Sequence, residues 1–181
     1  MAISLAYYFK GSTPKLEMNS ALEQCNKVLL VDFGPRHVLE DAPDMLVVAG
    51  ESGEEAAGVT AVGLLTLHYT EATRAWELGT MSALRKGSHG QLFQLFMEHV
   101  PNILVARMDA SISTRPVWIV KRVKQSSAKH INMLMRMGFE QPPHFLVGVL
   151  SDDGYIPFDP FDELLMKLRV CPQQQEVAAS T

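Results

Sequence analysis

The sequence predicts an α+β fold, and three observations carry that expectation. A meander of apolar strands occupies the first half, a helix with an N-terminal capping pattern follows it, and strands then alternate with helices without any internal repeat. With 181 residues, 47% hydrophobic and 20% charged, the chain suits one domain with a sizeable core. That domain is expected over 1–170. The end from Cys171 to Thr181, with three successive glutamines and small residues, has little to bury and reads as a disordered tail.

The elements follow in order. Ile3 to Phe9 is rich in β-forming residues and reads as a first strand or extended arm. Thr13 before Pro14 is an N-cap followed by Pro at the first helical position, and Leu16, Met18, Leu22, Cys25 and Val28 then recur at near-helical spacing. A helix from about Pro14 to Lys27 follows. Val28 to Phe33 either prolongs it or forms a short strand, and Gly34-Pro35 breaks either one. Asp44 to Ala49, Val59 to Tyr69 and Ala75 to Met81 read as three successive antiparallel strands. Ser88 followed by Gln91 matches a capping box, and Leu92, Phe93, Leu95, Phe96, Met97 and Val100 give the next helix a broad apolar face. Pro101 either kinks that helix or opens a new helical turn through Met108. Val117 to Val123 is a β-branched strand. Ser126 or Ser127 caps a helix whose end is marked by Gly138 as a left-handed residue, with Phe139 folding back near Leu134. Phe145 to Leu150 reads as another strand, and Asp159 or Asp162 is expected to cap a last short helix through Val170.

Formal charge is −4, which gives no global argument for a nucleic-acid partner. The distribution says more. Glu40 to Glu71 holds seven carboxylates and no Lys or Arg, whereas Ala110 to Phe139 holds Arg115, Lys121, Arg122, Lys124, Lys129 and Arg136 and no carboxylate, so an anion is drawn to the second region. Cys25 and Cys171 lie far apart and outside any CxxC or zinc-like spacing, which points to free thiols in a reducing compartment. Neither a signal peptide nor a membrane span is evident, and no metal-ligand spacing is found, so the expected location is cytoplasmic and the expected metal is none.

The turn Leu84-Arg85-Lys86-Gly87-Ser88-His89-Gly90-Gln91 carries the main chemical signal. Successive backbone amides at Gly87, Ser88, His89, Gly90 and Gln91 can converge on a phosphate at a helix N-terminus, helped by the helix dipole and by Arg85. The ordinary alternative is a plain strand-to-helix turn. Glu77 can serve as general base for an amine, and His89 or His130 can do so near neutral pH. Each is commonly a surface residue instead. Lys121, Arg122 and Lys124 either attract phosphates or form a solvated strand edge.

These residues also carry a resemblance. Arg85-Lys86-Gly87-Ser88-His89-Gly90 resembles the cofactor turn of the Gcn5-related N-acetyltransferase (GNAT) superfamily, with Ser88 in place of the middle glycine. Met137-Gly138-Phe139 resembles the end of that family's later motif, in which Ser127 stands at the asparagine position and Leu134 at the tyrosine position. The resemblance implies a mixed, mostly antiparallel twisted sheet flanked by helices. It implies acetyl-CoA or another acyl-CoA between strands Ala75 to Met81 and Val117 to Val123, with Arg85, Gly87, Ser88, His89, Gly90, Gln91 and Ser127 at the cofactor and a small-molecule or protein amine as acceptor, on which Glu77 or His130, the bases read from the residues themselves, would act. The tyrosine's role as acid toward the departing thiolate does not pass to Leu134. A narrower resemblance, through Trp76-Glu77-Leu78-Gly79-Thr80 and Ile131 to Phe139, is to acetyltransferase-like internal virion proteins of T7-like phages. It implies, as the alternative, a non-catalytic assembly component with other virion proteins as partners, in the host cytoplasm or the virion.

Overall fold

In the computed structural model the described residues are 3–52, 59–71, 75–85, 87–107, 117–141 and 162–170. They form a single six-stranded sheet whose spatial order follows the chain, β1 (Ile3–Phe9), β2 (Met45–Ser52), β3 (Val59–Thr70), β4 (Ala75–Ala83), β5 (Val117–Lys124) and β6 (Glu163–Val170). Every neighbouring pair is antiparallel except β4 with β5, which run parallel. The expected strand Phe145 to Leu150 and the tail from Cys171 lie outside the described residues.

Three helices cover the sheet: α1 (Lys15–Phe33), α2 (His89–Arg107) and α3 (Ala128–Arg136). On one face Leu92, Phe93 and Phe96 of α2 and Leu134 of α3 pack with Met45, Leu65, Leu78 and Ile119 of the strands. On the other face Met18, Ala21, Cys25, Val28 and Leu29 of α1 pack on Leu46, Val48, Ala61 and Leu64. Sequential apolar residues in β2 therefore alternate between two covered faces, which is why the strand reads as a continuous apolar run.

Helix α1 runs through Val28 to Phe33 rather than stopping at Lys27. Val28 and Leu29 are each 1% exposed, and burial of such side chains stabilises by about 1.5–3 kcal/mol each, against a few tenths of a kcal/mol lost to β-branched helix propensity. Packing decides the matter, and Gly34, at φ +84°, ends the helix with its N–H donating to the Leu30 carbonyl at 3.1 Å. The expected Thr13 cap is not made. Pro14 holds the N-cap position, and the Thr13 hydroxyl accepts from the Phe9 N–H at 2.8 Å.

Pro101 sits inside one continuous α2. The end of α3 follows expectation: Gly138 has φ +85°, the Phe139 N–H donates to Leu134 O at 3.1 Å, and the Gly138 N–H donates to Met135 O at 3.0 Å. Leu134 and Phe139, at 1% and 3% exposed, close the apolar contact that accompanies such an end.

The expected last helix is instead strand β6. Glu163–Val170 pairs antiparallel with β5 along its whole length, from Val117↔Val170 to Lys124↔Glu163. Leu, Met, Lys and Arg favour helix by tenths of a kcal/mol, but an unpaired β5 edge would leave its N–H and C=O groups without partners. Leu165 faces one cluster and Met166 the other, so burial on both faces erases the alternation that marks a half-exposed strand. Among the described residues no helix is long and apolar enough to cross a membrane.

Candidate functional site

The site begins with a fault in the sheet. Register between β3 and β4 jumps from Leu67↔Leu78 to Leu65↔Met81, so Gly79 and Thr80 together oppose Thr66. This is a β-bulge on β4, and a bulged strand bends and twists away from its neighbour. Thr66, 1% exposed, secures it by accepting the Thr80 N–H on its hydroxyl at 2.8 Å. A Cβ at position 79 would lie 2.4 Å from that same oxygen, so the position requires glycine for close approach.

The bend has a consequence on the other edge of β4. Parallel pairing with β5 covers Ala75↔Trp118, Trp76↔Ile119 and Glu77↔Val120 and stops where the bulge begins. Beyond it the strands part. Lys121 of β5 lies across the opening, its Nζ donating to the carbonyls of Leu78 at 2.9 Å and Gly79 at 2.8 Å. It is not the solvated edge residue that its type suggests. Burial pushes the Lys121 ammonium below its ordinary pKa, the Glu77 charge pushes it back up, and Arg122 lowers it further.

The second part of the site is the turn leading from β4 into α2. The sheet's last bond there is Leu84 N–H to Val62 O at 2.8 Å; Gly87 then takes φ +89° and the Leu92 N–H reaches the Ser88 carbonyl at 2.9 Å. The Ser88 hydroxyl donates to Arg85 O at 2.6 Å instead of serving the expected capping box. A Cβ on Gly90 would meet nothing within 4 Å, so the first turn of α2 opens on free space. Among the described residues no acceptor is found for the first-turn amides of His89, Gly90 and Gln91, as a helix N-terminus leaves them.

Asp32, at the end of α1, reaches this turn. Its Oδ2 accepts from Ser82 Oγ at 2.6 Å, lies 3.0 Å from His89 Nε2, and is 3.4 Å from the Ala83 nitrogen. Burial pushes the Asp32 carboxyl up, but the hydrogen bonds from Ser82, His89 and Ala83 outweigh it and hold the group below its ordinary pKa. Ser82 and His89 both meet Asp32 rather than each other. The trio is thus a clamp joining α1, β4 and α2, and no serine-to-histidine proton relay exists in it. A hollow of about 270 Å³ lies beside it, lined by Val31, Asp32, Ala83, Leu84, Gly87 and His89.

The residues expected from the sequence are thus partly assembled. Gly87, Ser88, His89, Gly90 and Gln91 are contiguous at the start of α2. Arg85 is turned to Glu51 at 3.0 Å. Ser127 occupies the N-cap position of α3 without a side-chain cap bond, so it heads a different helix. Glu77 is paired with Arg122 through Nε at 2.5 Å, on the sheet face that Trp118 and Val120 share. His130 is on α3, which packs on the opposite face, so these two candidate bases do not converge. Burial and then the Lys121 charge push the His130 imidazole down. Among the described residues no group of three or more metal-ligating side chains occurs.

Sequence reasoning passed over Gly79 and Asp32 as site-forming residues and weighed Lys121 only as an attractor of phosphates or a solvated edge. Two of them carried a signal: an isolated glycine inside a strand marks a bulge, and a lysine in register with the core-facing Val117, Ile119 and Val123 is misplaced unless it has a partner. Nothing near Asp32 in the sequence points to β4, fifty residues away.

The architecture has solved counterparts. The chain is similar to a ribosomal-protein-S18-alanine N-acetyltransferase from Escherichia coli, at 11% identity and TM-score 0.57 over 97% of this chain and 99% of that one. It is similar to an aminoglycoside 6'-N-acetyltransferase from Enterococcus faecium, at 10% identity and TM-score 0.55 over 94% and 98%. A GNAT-family acetyltransferase from Bacillus cereus matches at 12% identity and TM-score 0.51 over 95% and 100%. No protein-family model and no curated protein matches the sequence. At these identities the likeness establishes the fold: a GNAT-like mixed sheet of six strands flanked by three helices.

Proposed function

We propose that the protein is an N-acyltransferase taking its acyl group from an acyl-CoA, such as acetyl-CoA, and delivering it to an amine. The observation that carries this reading is the opening between β4 and β5 beyond the Gly79–Thr80 bulge, which leads toward the start of α2. An acyl-CoA bears an amide-rich arm and a pyrophosphate, and supplies a thioester carbonyl open to attack by an amine. The opening suits the arm, because beyond Glu77↔Val120 the main chains of β4 and β5 no longer pair. The amides of His89, Gly90 and Gln91, with open space over Gly90, suit the phosphates, whereas the Ser88 N–H already donates to Arg85 O at 3.1 Å. His130 is the base on the α3 side, and its lowered pKa keeps it neutral near pH 7. Glu77, held by Arg122, acts as a base only where that pair opens.

Titration calorimetry with acetyl-CoA tests the reading. Heat of binding is expected, and its absence at millimolar ligand removes the function. A bulky substitution, Gly90→Phe, should abolish the heat while leaving the fold intact by circular dichroism.

A second reading, a non-catalytic assembly module on the same fold, draws support from one observation. The turn's Arg85 and His89 are each already engaged by a carboxylate, Glu51 and Asp32. A pyrophosphate would meet the Asp32 charge at close range. If that charge alone opposes binding, Asp32→Asn should strengthen acetyl-CoA binding; a chain that binds nothing with or without Asp32 removes the acyl-CoA reading and leaves the assembly module to be sought by co-purification.

A further inference from the structure

Lys121 is the group that the reading above leaves without a role, and it lies in the opening itself. Two acceptors hold its nitrogen, Leu78 O at 2.9 Å and Gly79 O at 2.8 Å. Two carbonyls leave one further position on the nitrogen, a third N–H in the ammonium and a lone pair once that proton is lost. Among the described residues no carboxylate lies within ion-pair distance of Lys121. The two carbonyls belong to the bulged segment of β4, so the nitrogen is held at the opening between the strands.

We propose that Lys121 is an acyl acceptor, so that the protein acylates itself on this side chain from a thioester bound between β4 and β5. This inference rests on the acyl-CoA reading. The Nζ lone pair forms a C–N bond to the thioester carbonyl carbon, the C–S bond breaks, and the sulfur departs as a thiolate. The proton shed by nitrogen passes to the imidazole of His130 and from there to the thiolate, so the products are an N-acyl-lysine and a free thiol. The product suits its surroundings better than the reactant. An amide carries no charge to desolvate, and its single N–H still serves one of the two carbonyls. The acyl chain then occupies the opening, which makes the step self-limiting.

Both lowered pKa values agree with this arrangement. Burial lowers the pKa of Lys121, which eases its loss of a proton, and burial is also the main cause that lowers the pKa of His130.

The experiment incubates the folded chain with acetyl-CoA and maps acetyl-lysine by peptide mass spectrometry, with the urea-unfolded chain as control. Calorimetry with CoA lacking an acyl group reads binding separately. The expected result is one acetyl group on Lys121, in roughly ten-fold or greater excess over each exposed lysine, as positioning would supply; the preference should vanish in urea. Lys121→Arg keeps donors for both carbonyls and should still bind CoA while losing the single-site mass increase. If CoA binds but acetyl groups spread over Lys10, Lys15 and Lys27, the inference is overturned and the acyl-CoA reading stands. If CoA does not bind, both are overturned.

Discussion

Substitution of Gly79 by alanine tests the bulge from which the whole site derives. The added Cβ would lie 2.4 Å from Thr66 Oγ1 and 3.2 Å from the His68 ring. Thr66 cannot simply rotate away, because its side chain is buried, stiff at χ1, and already accepts the Thr80 N–H at 2.8 Å. Overpacking of this kind costs about 1–3 kcal/mol, and leaving the Thr80 N–H unsatisfied costs about 1–3 kcal/mol more. The expected total is about 2–6 kcal/mol, which for a chain of this size lowers the thermal midpoint by roughly 4–24 °C. Circular dichroism melts and urea titrations of Gly79→Ala against the parent chain measure it. Thr66→Ala removes the clashing oxygen, so the double variant should lose less than the sum of the two single losses. A midpoint within about 2 °C of the parent, with the urea slope unchanged, would refute the close-approach argument.

Other outcomes follow from the same geometry. Gly87→Ala forces φ +89° on a residue with a Cβ and should destabilise by about 1–2 kcal/mol, whereas Gly90→Ala, with open space in the first turn of α2, should be neutral or stabilise by up to about 1 kcal/mol. Urea midpoints of the pair check the contrast; equal effects would mean that the turn is wrongly described. Asp32 has a folded pKa below its unfolded value near ~3.9, so its stabilisation is fully present above that value and is lost as pH falls through the lowered one. Asp32→Asn should therefore flatten the dependence of stability on pH in the acid range while lowering stability at pH 7, measured by urea midpoints between the two. Cys25 is 0% exposed and burial pushes its thiol up to about 12. In a Cys171→Ser chain, an aromatic disulfide reagent at pH 8 should find no reactive thiol until denaturant is added; rapid reaction of the native chain would contradict the packing of α1 on β2 and β3.

Local signals were legible wherever a residue's conformation depends on its near neighbours. The end of α3 at Gly138-Phe139 is one such case, since a left-handed glycine and an apolar residue folding back need only the preceding turn. The meander from Met45 to Ala83 is another, because its strands are apolar, β-branched and joined by short connections. Capping residues were legible as positions but not as bonds. Ser88 and Ser127 flank their helices, yet one hydroxyl turns back to Arg85 and the other makes no cap bond, because turn geometry upstream decides where an oxygen points.

Strand β6 shows where the sequence misleads. Glu-Leu-Leu-Met-Lys-Leu-Arg-Val has helical propensity and no alternation, and only the free edge of β5 makes it a strand. The sequence by itself determined the fold class, the meander, the end of α3 and the glycine-bearing turn before α2, since each rests on periodicity or on a local backbone requirement. Tertiary structure alone decided that β4 bulges against Thr66, that β4 and β5 part after three residue pairs, that Lys121 spans the gap and that Asp32 clamps the turn. These features pair residues from 14 to 50 positions apart or more, and a hydrogen bond across that distance depends on how the sheet is ordered, which no local pattern encodes.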